Sequence, residues 1–152
     1  MPGRAVDVAP RKRGPNTTIL AALTPAGLLA PMIVEGGTTI EVFLTFLENM
    51  LCPALRPGHI VLLDNLSAHK NAAVREKIEA TGARVVYLPR YSPDFQPIEG
   101  VFAKLKEFLR HAKARTAEAL ALAIAQGLAT ITAQDARGFF THCGYHPAPQ
   151  PI

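Results

Sequence analysis

Cysteine is nearly absent: Cys52 and Cys143 are the only two in 152 residues, and neither belongs to a CxxC pair. That excludes a zinc knuckle and a disulfide framework, and leaves a reducing, cytosolic setting as the plain reading. Long apolar runs are missing too. No stretch reaches the ~18 residues a membrane helix needs, and the opening Met1-Pro2-Gly3-Arg4 lacks the apolar core of a signal peptide. The expectation is a soluble, cytoplasmic protein with no membrane partner. Charged residues make up only 18% of the chain against 49% hydrophobic, a globular composition and not a disordered one. There is no internal repeat and no long linker. The length suits a single domain with a sizeable core. Acidic residues are the minority, 12 against 16 Lys and Arg, for a formal charge of +4. Such an excess permits a nucleic-acid partner without requiring one.

What is present reads as alternating strands and helices. Residues 1–16 are basic and rich in Pro and Gly, with a cationic run at Arg11, Lys12 and Arg13, and read as a solvated segment. Thr17–Leu23 and Leu28–Val34 are β-branched and apolar around a Pro25-Ala26-Gly27 turn, which predicts a hairpin. Thr38 or Thr39 caps a helix running to about Leu55, with Ile40, Phe43, Leu44, Phe46, Leu47 and Leu51 at helical spacing. His59–Leu63 is almost wholly apolar, as a buried central strand is. A helix over about 71–81 ends at Gly82, and Arg84–Leu88 forms the next strand. A proline-rich loop, 89–97, leads into a helix over 98–113 with Pro97 at its first turn. Thr116 and Thr132 cap two further helices. The order β-β-α-β-α-β-α-α-α implies an α/β layered sheet.

Two carboxylates stand out. Asp64 follows the apolar run Ile60–Leu63, at the carboxyl end of a buried strand, where open α/β sheets place their sites. It also suits a turn with Asn65 or a cap of the next element. Glu99 lies one turn into its helix, where an acid favours the helix dipole without further function. Together, on a strand and on the helix after the next parallel strand, they can converge on one side of the sheet. Paired carboxylates repel unless a cation sits between them, and a hard divalent ion such as Mg²⁺ prefers such oxygen ligands. Two ions about 4 Å apart would suit phosphodiester chemistry. Advancing from Glu99, the residues Lys106, Arg110 and Lys113 fall within about 40° of it around the helix. This stripe is either a solvated face or a track for a nucleic-acid backbone. Val101, Leu105, Phe108 and Leu109 form the opposite, apolar face, with Phe102 at its border. His142, Cys143 and His146 are close in sequence; a helix end with an apolar Cys is preferred to a metal site.

The stretch IVLLDNLSAHK (Ile60–Lys70), followed by YLPRYSPDFQPIEGVFAKLK (Tyr87–Lys106), resembles the second and third acidic motifs of insertion-sequence DDE transposases. Asp64 matches the second acid and Glu99 the third. The thirty-four residues between them are the spacing of the mariner-related branch. The resemblance continues through the hairpin and the C-terminal helices and so covers nearly the whole chain. It implies an RNase H-like mixed sheet flanked by helices over 17–146, after the basic segment 1–16 and before a tail, 147–152. It implies Mg²⁺ or Mn²⁺ at a two-metal site, and DNA cleavage followed by strand transfer during transposition. The implied partners are DNA (transposon ends and target) and a second transposase chain, its own copy or a full-length one. The implied location is the bacterial cytoplasm, on the nucleoid when DNA is bound. Asp64 and Glu99 would be the catalytic metal ligands. Asn65, His69 and Lys70 flank the second motif and, with Lys106, Arg110 and Lys113, are candidate DNA contacts; Asn65 and His69 equally suit structural support.

The chain departs from that family at three points. Gln96 replaces the usual Asn before Pro97, and Gln caps helices less well. Asp94 is a nearby rival carboxylate. The family's first acid, carried on a first central strand ahead of the hairpin, has no obvious match. Asp7 is the only acid before the hairpin and the one candidate for a third carboxylate; its flanks could make a short strand, yet Arg4–Gly14 resembles the family's segment between the first strand and the hairpin. The expectation is therefore a fold lacking its first central strand, from a truncated or split reading frame, and a poor nuclease when alone. The alternative function is a catalytically inactive remnant that binds DNA or a transposase partner.

Overall fold

The computed structural model describes residues 5–12, 17–36, 39–63, 72–88 and 96–145. Five strands form one sheet: β1 (Ala5–Lys12), β2 (Thr17–Thr24), β3 (Gly27–Glu35), β4 (Ile60–Leu63) and β5 (Arg84–Tyr87), in the order β3-β2-β1-β4-β5. The β2–β3 hairpin is antiparallel, as its turn residues predict, and β2 runs antiparallel to β1. The β1–β4 and β4–β5 pairs are parallel. The sheet is therefore mixed.

The central strand is present, which corrects the expectation that it is lacking. Ala5–Lys12 is β1, between β2 and β4, where a solvated basic segment was expected. The physical reason lies in alternation. Val6 and Val8 point to one face and are fully buried, while Asp7 and Ala9 point to the other, the period-two pattern of a strand. The neighbouring prolines and cations mask that pattern.

One face of the sheet packs on α1 (Ile40–Phe46) and α2 (Ala72–Glu79): Val6, Val8, Leu20, Ala22, Val61 and Leu63 meet Phe43, Phe46, Leu47 and Ile78. The opposite face packs on α3 (Ile98–Ala112), α4 (Ala117–Ala129) and α5 (Ala133–His142), where Ile19, Ala21 and Leu23 meet Ile98, Leu105, Ile124 and Phe140. Thr39 caps α1, its hydroxyl accepting from the Val42 N–H. The predicted helix to Leu55 is not uniform: after Phe46 it widens into a π-turn, Leu47–Leu51, and tightens into a 3₁₀ turn, Cys52–Ala54. Pro53 explains this, since it has no N–H to donate and its ring crowds the carbonyl four residues back. Gly82 ends the segment after α2 with φ +90°, the left-handed role read from the sequence. Among the described residues no helix is long and apolar enough to cross a membrane.

Candidate active site at the head of α3

Helix α3 begins without a local cap. Its N-cap is Pro97, which has no side-chain acceptor, and no side-chain hydrogen bond is made there. The Glu99 N–H turns back to the Gln96 carbonyl at 3.0 Å and the Gly100 N–H to Pro97 at 3.0 Å. The first helical N–H, that of Ile98, is taken from across the molecule: it donates to Asp7 Oδ2 on β1 at 2.9 Å. Asp7 is only 1% exposed. A buried carboxylate there gains from the positive end of the helix dipole, and it meets a donor that burial would otherwise leave unsatisfied.

The end of α5 closes the same corner. Gly144, at φ +90°, donates to the Thr141 carbonyl at 3.0 Å, and Tyr145 donates to the Phe140 carbonyl at 2.8 Å. This is the Schellman arrangement, with an apolar contact across it: the Phe140 and Tyr145 rings meet edge-on, centroids 6.1 Å apart. The phenol of Tyr145 is thereby held half-buried. Its pKa is raised, first by burial, then by the negative charge of Asp7 and then by Cys143. Gly100 lets α3 and α5 close on each other. A Cβ at that position would lie 2.6 Å from Cγ of Phe139.

A cleft of about 260 Å³ opens beside these contacts, lined by Gln96, Glu99, Gly100, Phe139, His142 and Cys143. Glu99 is half-buried and reaches this cleft. A larger hollow, about 540 Å³, lies between the hairpin and α4, with no titratable side chain in its lining.

The structure brings Glu99 and Asp7 to one corner. Asp64, Asn65, His69, Lys70, Asp94 and His146 lie outside the described residues. Lys106, Arg110 and Lys113 are all exposed on α3, but they differ in their surroundings. Arg110 pairs with Glu107 at 3.4 Å, and Lys113 is the C-cap in the left-handed conformation, φ 52°. Lys104, on the same helix, is drawn to Asp135 at 2.6 Å and the Thr130 carbonyl at 3.2 Å. The apolar face of α3 is as read, except that Phe102 is buried at 2% exposure while Phe108 and Leu109 are only half-buried.

Sequence reasoning missed the tie between Asp7 and Ile98, which spans 91 positions. The only available signal was an acid set between two valines. It also missed that α5 delivers His142, Cys143 and Tyr145 to the head of α3. Among the described residues no group of three or more His, Cys, Asp or Glu side chains is arranged to hold a metal ion.

Comparison with known proteins gives one family and one fold. The sequence profile described as DDE superfamily endonuclease matches residues 1–121. No curated protein matches the chain. Among solved structures, the catalytic domain of Mos1 mariner transposase superposes with a TM-score of 0.78 at 20% identity, over 94% of this chain and 78% of that one. The Mos1 catalytic domain with raltegravir and Mn gives 0.79 at 19% identity, over 93% and 78%. The Mos1 strand transfer complex gives 0.75 at 19% identity, over 93% of this chain and 52% of the transposase chain. The mixed sheet flanked by helices is thus the RNase H-like fold of those catalytic domains.

Proposed function

We propose, since this chain belongs to the DDE superfamily of endonucleases, that it cuts DNA phosphodiesters and transfers the freed 3′-hydroxyl to target DNA, with Asp64 and Glu99 as its metal ligands. One observation carries the reading. Leu63, the residue before Asp64, pairs with Val8, and Ile98, the residue before Glu99, donates its N–H to Asp7. The chain therefore enters both acidic positions from anchors on two adjacent residues of one strand. On this reading the catalytic unit starts at β1, not at Thr17, and extends through α5, leaving 147–152 as a tail.

The donor chemistry fits a hard divalent cation. Glu99 offers carboxylate oxygens at an open cleft, and Mg²⁺ or Mn²⁺ takes such oxygens while keeping several waters. Structures of the Mos1 catalytic domain have been described with Mn and with Mg. Asp64 and Glu99 would hold the ion, or two ions, which when bound supplies an activated attacking oxygen and neutralises charge on the leaving one. The remaining work falls to the chain itself. Lys106 and Lys113 would grip DNA phosphates, and Arg110 would do so while sharing its charge with Glu107. Asn65, His69 and Lys70 follow Asp64 directly and would contact or orient the DNA. The Mos1 structures include a strand transfer complex and a pre-cleavage transpososome. By analogy, the partners of this chain are transposon-end and target DNA and a second transposase chain, in the bacterial cytoplasm.

A second reading, a DNA-binding chain without cleavage activity, is favoured by one feature: the only acid on β1, Asp7, is buried. Nicking of supercoiled plasmid in Mn²⁺ separates the two. The wild-type chain, with two acids where the family has three, is expected to nick slowly, and Glu99→Gln to lose at least about 10²-fold of that rate, as when a group stabilising transition-state charge is removed. Equal rates for the two proteins would sink the catalytic assignment. DNA binding without nicking by either would favour the second reading.

A further inference from the structure

Asp7 poses a question of its own, because the first strand of a metal-dependent nuclease is where a further carboxylate ligand would be sought. We infer instead that Asp7 is the cap of α3 and a positioning residue for Glu99, and does not touch the ion. The inference rests on the reading of Glu99 as a metal ligand given above.

Two observations carry it. The first is the vacancy in local capping. Pro97 offers no acceptor to the start of α3, and the Ile98 N–H, on a fully buried residue, finds its acceptor in Asp7 Oδ2 at 2.9 Å. A carboxylate committed to a buried N–H at the positive end of a helix is doing the work of an N-terminal cap. The second is access. At 1% exposure Asp7 has no open side for an ion that keeps several of its waters. Its flanks in the sheet are apolar: Leu23 on β2 and Leu62 on β4 stand level with it.

The consequence concerns geometry. Glu99 follows Ile98 immediately, so the bond from Asp7 fixes the azimuth and depth of the helix turn that carries it. Packing of Gly100 on Phe139 then presses the same turn against α5. Gln96, in place of a better capping residue, does not leave the approach to Glu99 loose, because the anchor comes from β1.

The test compares Asp7→Ala, Asp7→Asn and Glu99→Gln in the full chain, reading amide hydrogen exchange at Ile98–Gly100 and Mn²⁺ affinity by calorimetry. Asp7→Ala should speed exchange at Ile98 by about tenfold, the scale of a lost cap. It should weaken Mn²⁺ about tenfold, the lower end of what loss of an outer-shell partner costs. Asp7→Asn keeps an acceptor oxygen and drops the charge, and should restore both properties to within about threefold of wild type. Glu99→Gln should lose Mn²⁺ binding with Ile98 still protected. Loss of Mn²⁺ in Asp7→Asn comparable to that in Glu99→Gln, with protection intact, would make Asp7 a ligand and overturn the inference. Unchanged exchange in Asp7→Ala would overturn it too. Should Asp7→Ala not fold, the Asp7→Asn pair of measurements still decides. If Glu99→Gln binds Mn²⁺ normally, the metal reading of Glu99 fails, and the cap is judged on exchange alone.

Discussion

Gly100 sits where α3 and α5 touch, and its lack of a side chain is what the contact requires. An added Cβ would overlap the Phe139 ring, with Cγ only 2.6 Å away, and the whole ring would have to shift. Gly138, on α5, has nothing within 4 Å of such a Cβ. The same substitution should thus act in opposite directions at the two sites. Alanine in a helix interior gains about 0.5–1 kcal/mol over glycine, and overpacking costs about 1–3 kcal/mol. Gly138→Ala should raise the melting temperature by a few degrees; Gly100→Ala should lower it, with a net loss of about 1–2 kcal/mol. Thermal melts of the two variants check this, and a stabilised Gly100→Ala would show that the α3–α5 contact is slack. Neither glycine announces its role in the sequence, because both sit inside helical patterns without a turn signal. Only the neighbour at position 139 distinguishes them.

At the scale of elements, the helix caps were the most legible feature. Thr39, Thr116 and Thr132 each accept a backbone N–H at the start of the helix that the sequence assigned to them. The last is a full capping box, since the Asp135 carboxylate returns to the Thr132 N–H at 3.0 Å. Asp135 also receives Lys104, and this hydrogen bond, followed by the one from the Thr132 backbone, holds its carboxyl below the usual range. A pKa lowered on folding means that the unfolded chain binds the proton more readily. The stabilisation is complete above the unfolded value, about 3.9, and is lost as pH falls through the lower folded value. Melting temperatures taken between roughly pH 6 and pH 2 should fall less steeply for Asp135→Asn than for wild type. Parallel curves would show that the box and its lysine add nothing to acid stability. The α1 segment was less legible: its apolar period continues past Phe46, and only Pro53 hints that the hydrogen bonding changes there.

For the whole molecule, the sheet separates two apolar cores, with α1 and α2 on one face and α3, α4 and α5 on the other. The exposed cations Lys106 and Lys113 lie along α3 as it runs away from Glu99. If this ridge carries DNA, binding should weaken linearly with log salt, and each lost phosphate contact should flatten the slope by about 0.9. The double variant Lys106→Ala, Lys113→Ala should thus bind duplex DNA with a slope smaller by roughly 2, measured by fluorescence anisotropy across salt concentrations. An unchanged slope would mark the ridge as merely solvated. Lys104→Ala should leave the slope alone, since that side chain is already spent on Asp135 and the Thr130 carbonyl.

By itself the sequence determined the periodic elements, their caps and the two acids at family spacing, because each of these is written in residues close along the chain. Only the tertiary structure decided that Ala5–Lys12 is the central strand: a short run flanked by Pro and Arg reads as a loop or a short strand until β2 and β4 supply its hydrogen-bond partners. The same holds for Asp7, whose acceptor oxygen and its donor at Ile98 are distant in sequence. Local pattern reports what a segment can become; a buried polar group finds its partner only when folding brings the two together, and no periodicity records that pairing.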